Sequence, residues 1–77
     1  MTYRYETSIC IFTIARLGNG DFGVFVNDDN TCYNGSSDIY ALIDDINTGH
    51  TGFDPWDDEQ YLDEEVPMDL EEWEHLD

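Results

Sequence analysis

Residues 9–26 read ICIFTIARLGNGDFGVFV, two runs of β-branched and aromatic residues separated by glycine, asparagine and aspartate. Asn-Gly is the preferred central pair of a two-residue type I′ turn, because both central residues of that turn need positive φ. The stretch therefore predicts a β-hairpin with Asn19 and Gly20 at its tip. Its first strand is predicted to extend back to Tyr3, since the chain stays rich in β-forming residues over that range.

The turn also predicts how the two strands pair, because a shift of one residue would move every side chain to the other face. Three predicted pairs share one mostly apolar face: Leu17 with Phe22, Ala15 with Val24, and Thr13 with Val26. Ile9 and Ile11 continue that face. The opposite face is only partly polar and carries five other side chains: Cys10, Phe12, Ile14, Arg16 and Phe25. A second layer is therefore expected on that side.

The next segment predicts one more strand and a helix. Residues 28–30, Asp-Asp-Asn, favour a turn into a short third strand over 31–33, which the pair Asn34-Gly35 would end. Ser36 or Ser37 is a suitable N-cap for a following helix. The helix would pack an apolar stripe on the sheet and stop at Gly49. The stripe consists of Ile39, Leu42, Ile43 and Ile46.

The signals are weaker after His50. Residues 51–56 resemble a loop, and Pro67 suits the first position of a short helix over 67–76, where Leu70, Trp73 and Leu76 recur at a spacing of three. The sequence thus predicts a single α+β domain over residues 1–77. Residues 1–49 would form a hairpin, a short third strand and one central helix, and residues 50–77 an acidic segment partly folded onto them.

Charge is distributed very unevenly along the chain. The sequence contains 19 Asp and Glu, two Arg, no Lys, and a formal net charge of -17. Four of the acids lie in residues 1–37 together with both arginines, and the other 15 lie in residues 38–77 with no strong base. Such a surface repels phosphates, so direct binding to nucleic acid or to an anionic membrane is not expected.

The same sequence argues against an anchor and against a dedicated catalytic or metal centre. No apolar run approaches the length of about 20 residues that spans a bilayer, and the N-terminus lacks the pattern of a signal peptide. A soluble cytoplasmic protein is therefore expected. No nucleophile motif, EF-hand spacing or zinc-ligand spacing is present, so we expect neither an enzyme nor a cofactor. Cys10 and Cys32 are expected to be reduced, with a disulfide between them left open.

The acidic half admits several interpretations. Blocks of like charge usually form solvated tails, and halophilic adaptation also enriches acids. Large apolar residues are, however, interleaved with these acids, Trp56 and Trp73 among them, and residues 1–37 stay nearly neutral. The two tryptophans would either anchor the segment to the sheet or contact a partner.

The net charge also matches the linear charge density of DNA. A compact chain of this length has a diameter of about 30 Å, which gives one net charge per ~1.8 Å. B-DNA carries one charge per ~1.7 Å of its axis. Carboxylates can replace phosphates opposite arginine and lysine side chains. The acidic half is therefore able to present a DNA-like charge density to a basic groove.

In small size, extreme acidity and clusters such as Asp57-Asp58-Glu59 and Glu71-Glu72, the chain resembles the phage-encoded DNA-mimic inhibitors of the anti-CRISPR and anti-restriction type. The resemblance covers overall character and no specific motif. It implies a non-catalytic inhibitor in the host cytoplasm that blocks the DNA- or RNA-binding site of a basic host defence protein, such as a CRISPR effector or a restriction nuclease. The alternative is an acidic antitoxin or immunity module that neutralises one cationic protein.

The predicted partner-binding residues are Asp44, Asp45, Trp56, Asp57, Asp58, Glu59, Asp63, Glu64, Glu65, Glu71, Glu72 and Trp73. The oligomeric state is left open.

Overall fold

The computed structural model describes residues 2–27, 29–58 and 64–76. Five antiparallel strands form one sheet in the order β4-β3-β2-β1-β5. The strands are β1 Thr2–Glu6, β2 Ile11–Arg16, β3 Phe22–Val26, β4 Asn34–Ser36 and β5 Glu74–His75. Helix α1, Ile39–Asn47, contacts β3 and β4. A short second helix, α2, spans Asp54–Asp57. The predicted α+β class is confirmed.

The hairpin between β2 and β3 is present, but the predicted register is wrong by one residue. The Gly20 N–H donates to the Leu17 carbonyl at 3.1 Å, and the Leu17 N–H donates to the Asp21 carbonyl at 2.6 Å. Gly20 alone in this loop has positive φ, at 93°. This geometry fits a three-residue loop, in which a left-handed glycine follows an ordinary turn, and not a two-residue type I′ turn.

The extra loop residue moves the core to the other face of β2. Val24 now lies opposite Ile14, and Val26 lies opposite Phe12. These four side chains are buried, whereas Leu17 at the hairpin end is only partly buried. Thr13 and Ala15 point to the opposite side, because side chains alternate along a strand. The predicted pairs of Leu17 with Phe22, Ala15 with Val24, and Thr13 with Val26 are therefore incorrect.

The long first strand predicted from Tyr3 to Leu17 is in fact two strands joined by a tight turn. The Thr7 N–H donates to the Cys10 carbonyl at 2.8 Å, and the Thr7 hydroxyl oxygen accepts from the Cys10 N–H at 3.0 Å. Thr7 thus closes the turn that reverses the chain. The third strand predicted at 31–33 lies at Asn34–Ser36, so Asn34 and Gly35 belong to the strand and do not end it.

Helix α1 follows its predicted stripe. Its four stripe residues Ile39, Leu42, Ile43 and Ile46 are all buried. The N-cap is Asp38, whose carboxylate accepts from the Tyr40 N–H at 3.0 Å, and neither predicted serine takes that position. Gly49 ends the helix as predicted, with φ at 77°. The Gly49 and His50 N–H groups bond back to the carbonyls of Ile46 and Asp45, which is a Schellman motif.

The helix predicted over 67–76 is wrong. A 3₁₀ turn spans Leu70–Glu72, and the chain then becomes strand β5 beside β1. Trp73 is extended, with φ of −90° and ψ of 150°, and this conformation ends the turn. The Leu76 N–H donates to the Thr2 carbonyl at 2.9 Å. Pairing with the free edge of β1 therefore overrides the local spacing of apolar residues.

Within the described ranges, no helix combines the length and apolarity that crossing a membrane requires.

Candidate functional site

The half of the chain that carries most of the acids forms the second layer of the fold. Helix α1 covers β3 and β4. The Trp56 ring contacts Phe12 of β2 at a centroid distance of 4.9 Å, and the Trp73 ring contacts Tyr5 of β1 at 5.6 Å. We call residues 38–58 and 64–73 the acidic layer. The apolar residues between its carboxylates are what hold it against the sheet.

The two tryptophans are anchors of the acidic layer. Trp56 is fully buried, and its indole N–H donates to the Ile46 carbonyl at 2.7 Å. Trp73 is 3% exposed, and its indole N–H donates to the Pro67 carbonyl at 2.7 Å. A buried tryptophan with its N–H satisfied contributes to folding. The sequence left two roles open for these tryptophans, and the burial of both residues in the core supports the role of anchor.

Asp57 has a structural task within the layer. Its carboxylate accepts three hydrogen bonds: from the Thr51 N–H at 3.1 Å, the Thr51 hydroxyl at 2.7 Å and the Gly52 N–H at 2.9 Å. Thr51 is only 1% exposed, so Asp57 satisfies polar groups that water scarcely reaches. The bonds fix the loop that follows α1. The neighbouring Asp58 is exposed.

Glu64 ties the layer to the turn between β1 and β2. Its carboxylate accepts from the Ser8 hydroxyl and from the Ser8 N–H, the latter at 3.0 Å. These bonds stabilise the charged form, and they lower the pKa of Glu64 below its usual range. In the same turn, burial raises the pKa of the Cys10 thiol above its usual range despite a hydrogen bond from Thr7, and the Glu64 charge adds to the rise.

Asparagine side chains make two further connections to the layer. The Asn47 amide at the end of α1 accepts from the Val66 N–H at 2.8 Å and donates to the Val66 carbonyl at 3.0 Å. The Asn34 amide in β4 donates to the Asp45 carboxylate at 2.9 Å. Asp45 therefore helps to dock α1 on the sheet edge, whereas Asp44 beside it is exposed.

The remaining carboxylates face solvent. Six exposed acids of the layer make no side-chain bond within the described part of the chain: Asp44, Asp54, Asp58, Glu65, Glu71 and Glu72. Of the predicted partner-binding residues, Asp44, Asp58, Glu65, Glu71 and Glu72 thus present free charge, and Asp45, Asp57 and Glu64 are engaged inside the protein. Glu59 and Asp63 lie outside the described residues.

The sheet differs from the acidic layer in its electrostatic character. Four of its five strands, β1 to β4, come from the nearly neutral half of the sequence. Arg4 in β1 lies 3.5 Å from the carboxylate of Glu74 in β5, and Arg16 packs over the Phe22 ring at 5.1 Å. The two strong bases of the chain are therefore both on the sheet. The negative charge is concentrated on one layer.

Sequence analysis did not predict the residues that donate hydrogen bonds to these carboxylates. Ser8 lies 56 positions from Glu64, and Asn34 lies 11 positions from Asp45. No local spacing connects such pairs. Thr51 and Asp57 are only six positions apart. For this pair the sequence offered a local signal of the hydrogen bond, a threonine that begins a turn shortly before an aspartate.

Among the residues that the structure describes, no three His, Cys, Asp or Glu side chains are grouped to hold a metal ion. Cys10 and Cys32 are both free thiols, so the disulfide left open by the sequence is not formed. Comparisons with family models, curated proteins and solved structures give no match for this chain.

Proposed function

We propose that this protein is a non-catalytic inhibitor that occupies the nucleic-acid-binding site of a basic host defence protein in the cytoplasm, with the acidic layer as its contact surface. The observation that supports this proposal is the concentration of exposed carboxylates on one layer of a two-layer fold. A DNA- or RNA-binding groove on a CRISPR effector or restriction nuclease carries the complementary charge.

The dimensions of the domain agree with this proposal. Its longest dimension is 33 Å. A net charge of -17 over that length is about one charge per 1.9 Å, against about one per 1.7 Å along duplex DNA. Carboxylates fixed on a folded layer lose less conformational freedom on binding than carboxylates on a tail would.

The structure also determines which substitutions give a clean test. Reversing Asp57 or Glu64 would break bonds to Thr51 or Ser8, so a loss of binding would be ambiguous. Glu71 and Glu72 are exposed and make no side-chain bond within the described residues. The double variant Glu71→Lys with Glu72→Lys is therefore expected to abolish inhibition while circular dichroism stays unchanged, because basic target groups would face like charge.

A matched control comes from the sheet half. The double variant Glu6→Lys with Asp21→Lys changes the net charge by the same four units, but outside the acidic layer. It should retain most of the inhibition. Equal losses in the two double variants would show that only net charge matters, and the proposed contact surface would then be wrong.

Competition with DNA separates mimicry from the antitoxin-like alternative. A basic defence protein captured on the immobilised chain would be titrated with labelled duplex DNA, with and without the inhibitor, and followed by fluorescence anisotropy. Mimicry predicts mutually exclusive binding that weakens steeply with salt. A target that binds this protein and DNA simultaneously with unchanged affinities would refute mimicry and favour neutralisation of a cationic partner elsewhere.

A further inference from the structure

Few large apolar side chains of this fold remain exposed. Among the described residues they are Tyr40 at 51%, Met68 at 46% and Leu76 at 46%. Tyr40 and Met68 belong to the acidic layer, whereas Leu76 follows β5 and lies outside that layer. Two of these three side chains are therefore found among the exposed carboxylates, where they take no part in the core.

Tyr40 and Met68 mark the two ends of one face of helix α1. Side chains three, four and seven positions apart share a helix face, which places Tyr40, Asp44 and Asn47 in one row. The Asn47 amide contacts the Met68 sulfur at 3.8 Å. Seven residues of helix rise by about 10 Å, so the row is long enough to contact several side chains of a partner. We call Tyr40, Asp44, Asn47 and Met68 the helix patch.

No arginine or lysine side chain of this protein is left for the helix patch. The chain contains two arginines and no lysine. Arg4 lies 3.5 Å from the Glu74 carboxylate, and Arg16 packs over the Phe22 ring at 5.1 Å. Both arginines are therefore engaged on the sheet, and a guanidinium group that stacks on Tyr40 has to come from another molecule.

We propose that the helix patch is where the acidic layer binds an arginine side chain of its basic partner. The guanidinium group stacks on the exposed Tyr40 ring and donates to the Asp44 carboxylate one turn further along. Cβ atoms at this spacing are about 5–6 Å apart, and a ring attracts a cation within about 6 Å of its centroid, so one guanidinium group reaches both side chains. The inference rests on the proposed function, which supplies the basic partner, and it adds the residue type that this face selects.

Charge complementarity selects a cation for this face. The helix N-terminus carries about half a positive elementary charge, which the carboxylates of Asp38 and Asp44 together outweigh. Asp44 is exposed and makes no side-chain bond within the described residues. A cation at the helix patch therefore meets net negative charge from the helix itself, in addition to the net charge of -17 on the whole chain.

The Tyr40 ring adds a preference for arginine over lysine beyond that of the carboxylates. A guanidinium group is planar and weakly hydrated and stacks on aromatic faces, whereas an ammonium group is a compact, strongly hydrated point charge. Arg16 and Phe22 already form such an arrangement within this chain. Tyrosine and arginine are also among the residues that contribute most to binding energy at protein interfaces.

The test titrates the full chain into two fluorescein-labelled peptides, octa-arginine and octa-lysine, and follows binding by fluorescence anisotropy. The wild type should bind octa-arginine more tightly. Tyr40→Ala should lower the ratio of the two affinities about two- to fivefold, the size of an exposed cation–π contact, whereas Tyr40→Phe keeps the ring and should retain most of the ratio. Because Tyr40 is exposed and alanine favours helix, circular dichroism should stay unchanged.

Two control variants separate the effect of the ring from net charge and from apolar contact in general. Glu71→Gln with Glu72→Gln should weaken the binding of both peptides and its salt dependence, but change the ratio much less. Leu76→Ala removes a similarly exposed apolar side chain outside the acidic layer and should change neither affinity. An unchanged ratio in Tyr40→Ala would overturn the proposal, and so would an equal reduction in Leu76→Ala.

A second measurement needs no variant. In an NMR titration with octa-arginine, the ring current of Tyr40 should move the arginine Hδ resonances upfield, and the Tyr40 ring resonances should shift more than with octa-lysine. Equal shifts with the two peptides would also overturn the proposal. These peptide results are independent of the competition with DNA, so a target that binds this protein and DNA together would refute the proposed function alone.

Discussion

Two neighbouring acids, Asp57 and Asp58, should differ sharply in their contribution to stability. The Asp57 carboxylate accepts three hydrogen bonds from Thr51 and Gly52, and Asp58 is exposed. The Asp57→Ala change would leave the N–H and hydroxyl of the nearly inaccessible Thr51 short of a partner, which costs about 1–3 kcal/mol. The exposed Gly52 N–H can turn to water, so its loss adds only about 0.5–1.5 kcal/mol.

The expected destabilisation by Asp57→Ala is therefore the sum of these two costs, about 1.5–4.5 kcal/mol. A domain of this size has a stability of about 4–12 kcal/mol, so the variant would lose a large fraction of it. The Asp58→Ala change should stay within about 0.5 kcal/mol, as is usual for exposed positions. Both variants remove one negative charge, so the comparison cancels the relief of self-repulsion.

Urea unfolding followed by tryptophan fluorescence measures both variants, since Trp56 lies next to the affected loop. Asp57→Asn should fall between the wild type and Asp57→Ala, because the amide oxygen still accepts but carries no charge. If Asp58→Ala destabilised the protein as much as Asp57→Ala, the assignment of Asp57 as the carboxylate that holds this loop would be refuted.

Three further outcomes follow from the same structure. Glu64→Gln should destabilise the protein at pH 7 and lose this effect in acid. The lowered folded-state pKa of Glu64 contributes stability above the unfolded pKa, and this stability disappears as the pH falls through the folded value. Parallel urea titrations from pH 7 to pH 3 measure this. Ile14→Ala should cost about 2–5 kcal/mol in thermal unfolding and Leu17→Ala clearly less, since only Ile14 is fully buried; equal costs would restore the predicted register. Trp56 and Trp73 should emit at blue-shifted wavelengths and resist iodide quenching in the free protein, and exposed spectra would contradict their role as anchors.

The periodic elements of this fold could be predicted from the sequence because their signals are local. The stripe from Ile39 to Ile46 repeats with the helical period, and Gly49 provides the positive φ that ends a helix. The hairpin around Asn19 was also evident. Its register was not, because Gly18-Asn19-Gly20 permits both a two-residue and a three-residue loop. Burial of Ile14 against the second layer distinguishes them, and that is a long-range property.

The roles of individual carboxylates could not be predicted at all. By composition, Asp57 and Asp58 are equivalent, as are Glu64 and Glu65. The difference arises because Thr51 and Ser8 are brought next to one member of each pair. Likewise, Trp73 fits a helical spacing with Leu70 and Leu76, but the residues after it pair with the free edge of β1 and form strand β5.

The sequence by itself determined the charge of this protein, its α+β class and its helix, since composition and hydrophobic periodicity are properties of neighbouring residues. Only the tertiary structure decided which face of β2 is the core, which acids are structural, and that the exposed carboxylates collect on one layer. These outcomes depend on contacts between residues far apart in the chain, such as Ser8 with Glu64 and Phe12 with Trp56. These contacts contribute to the free energy of folding only when the two layers have packed together.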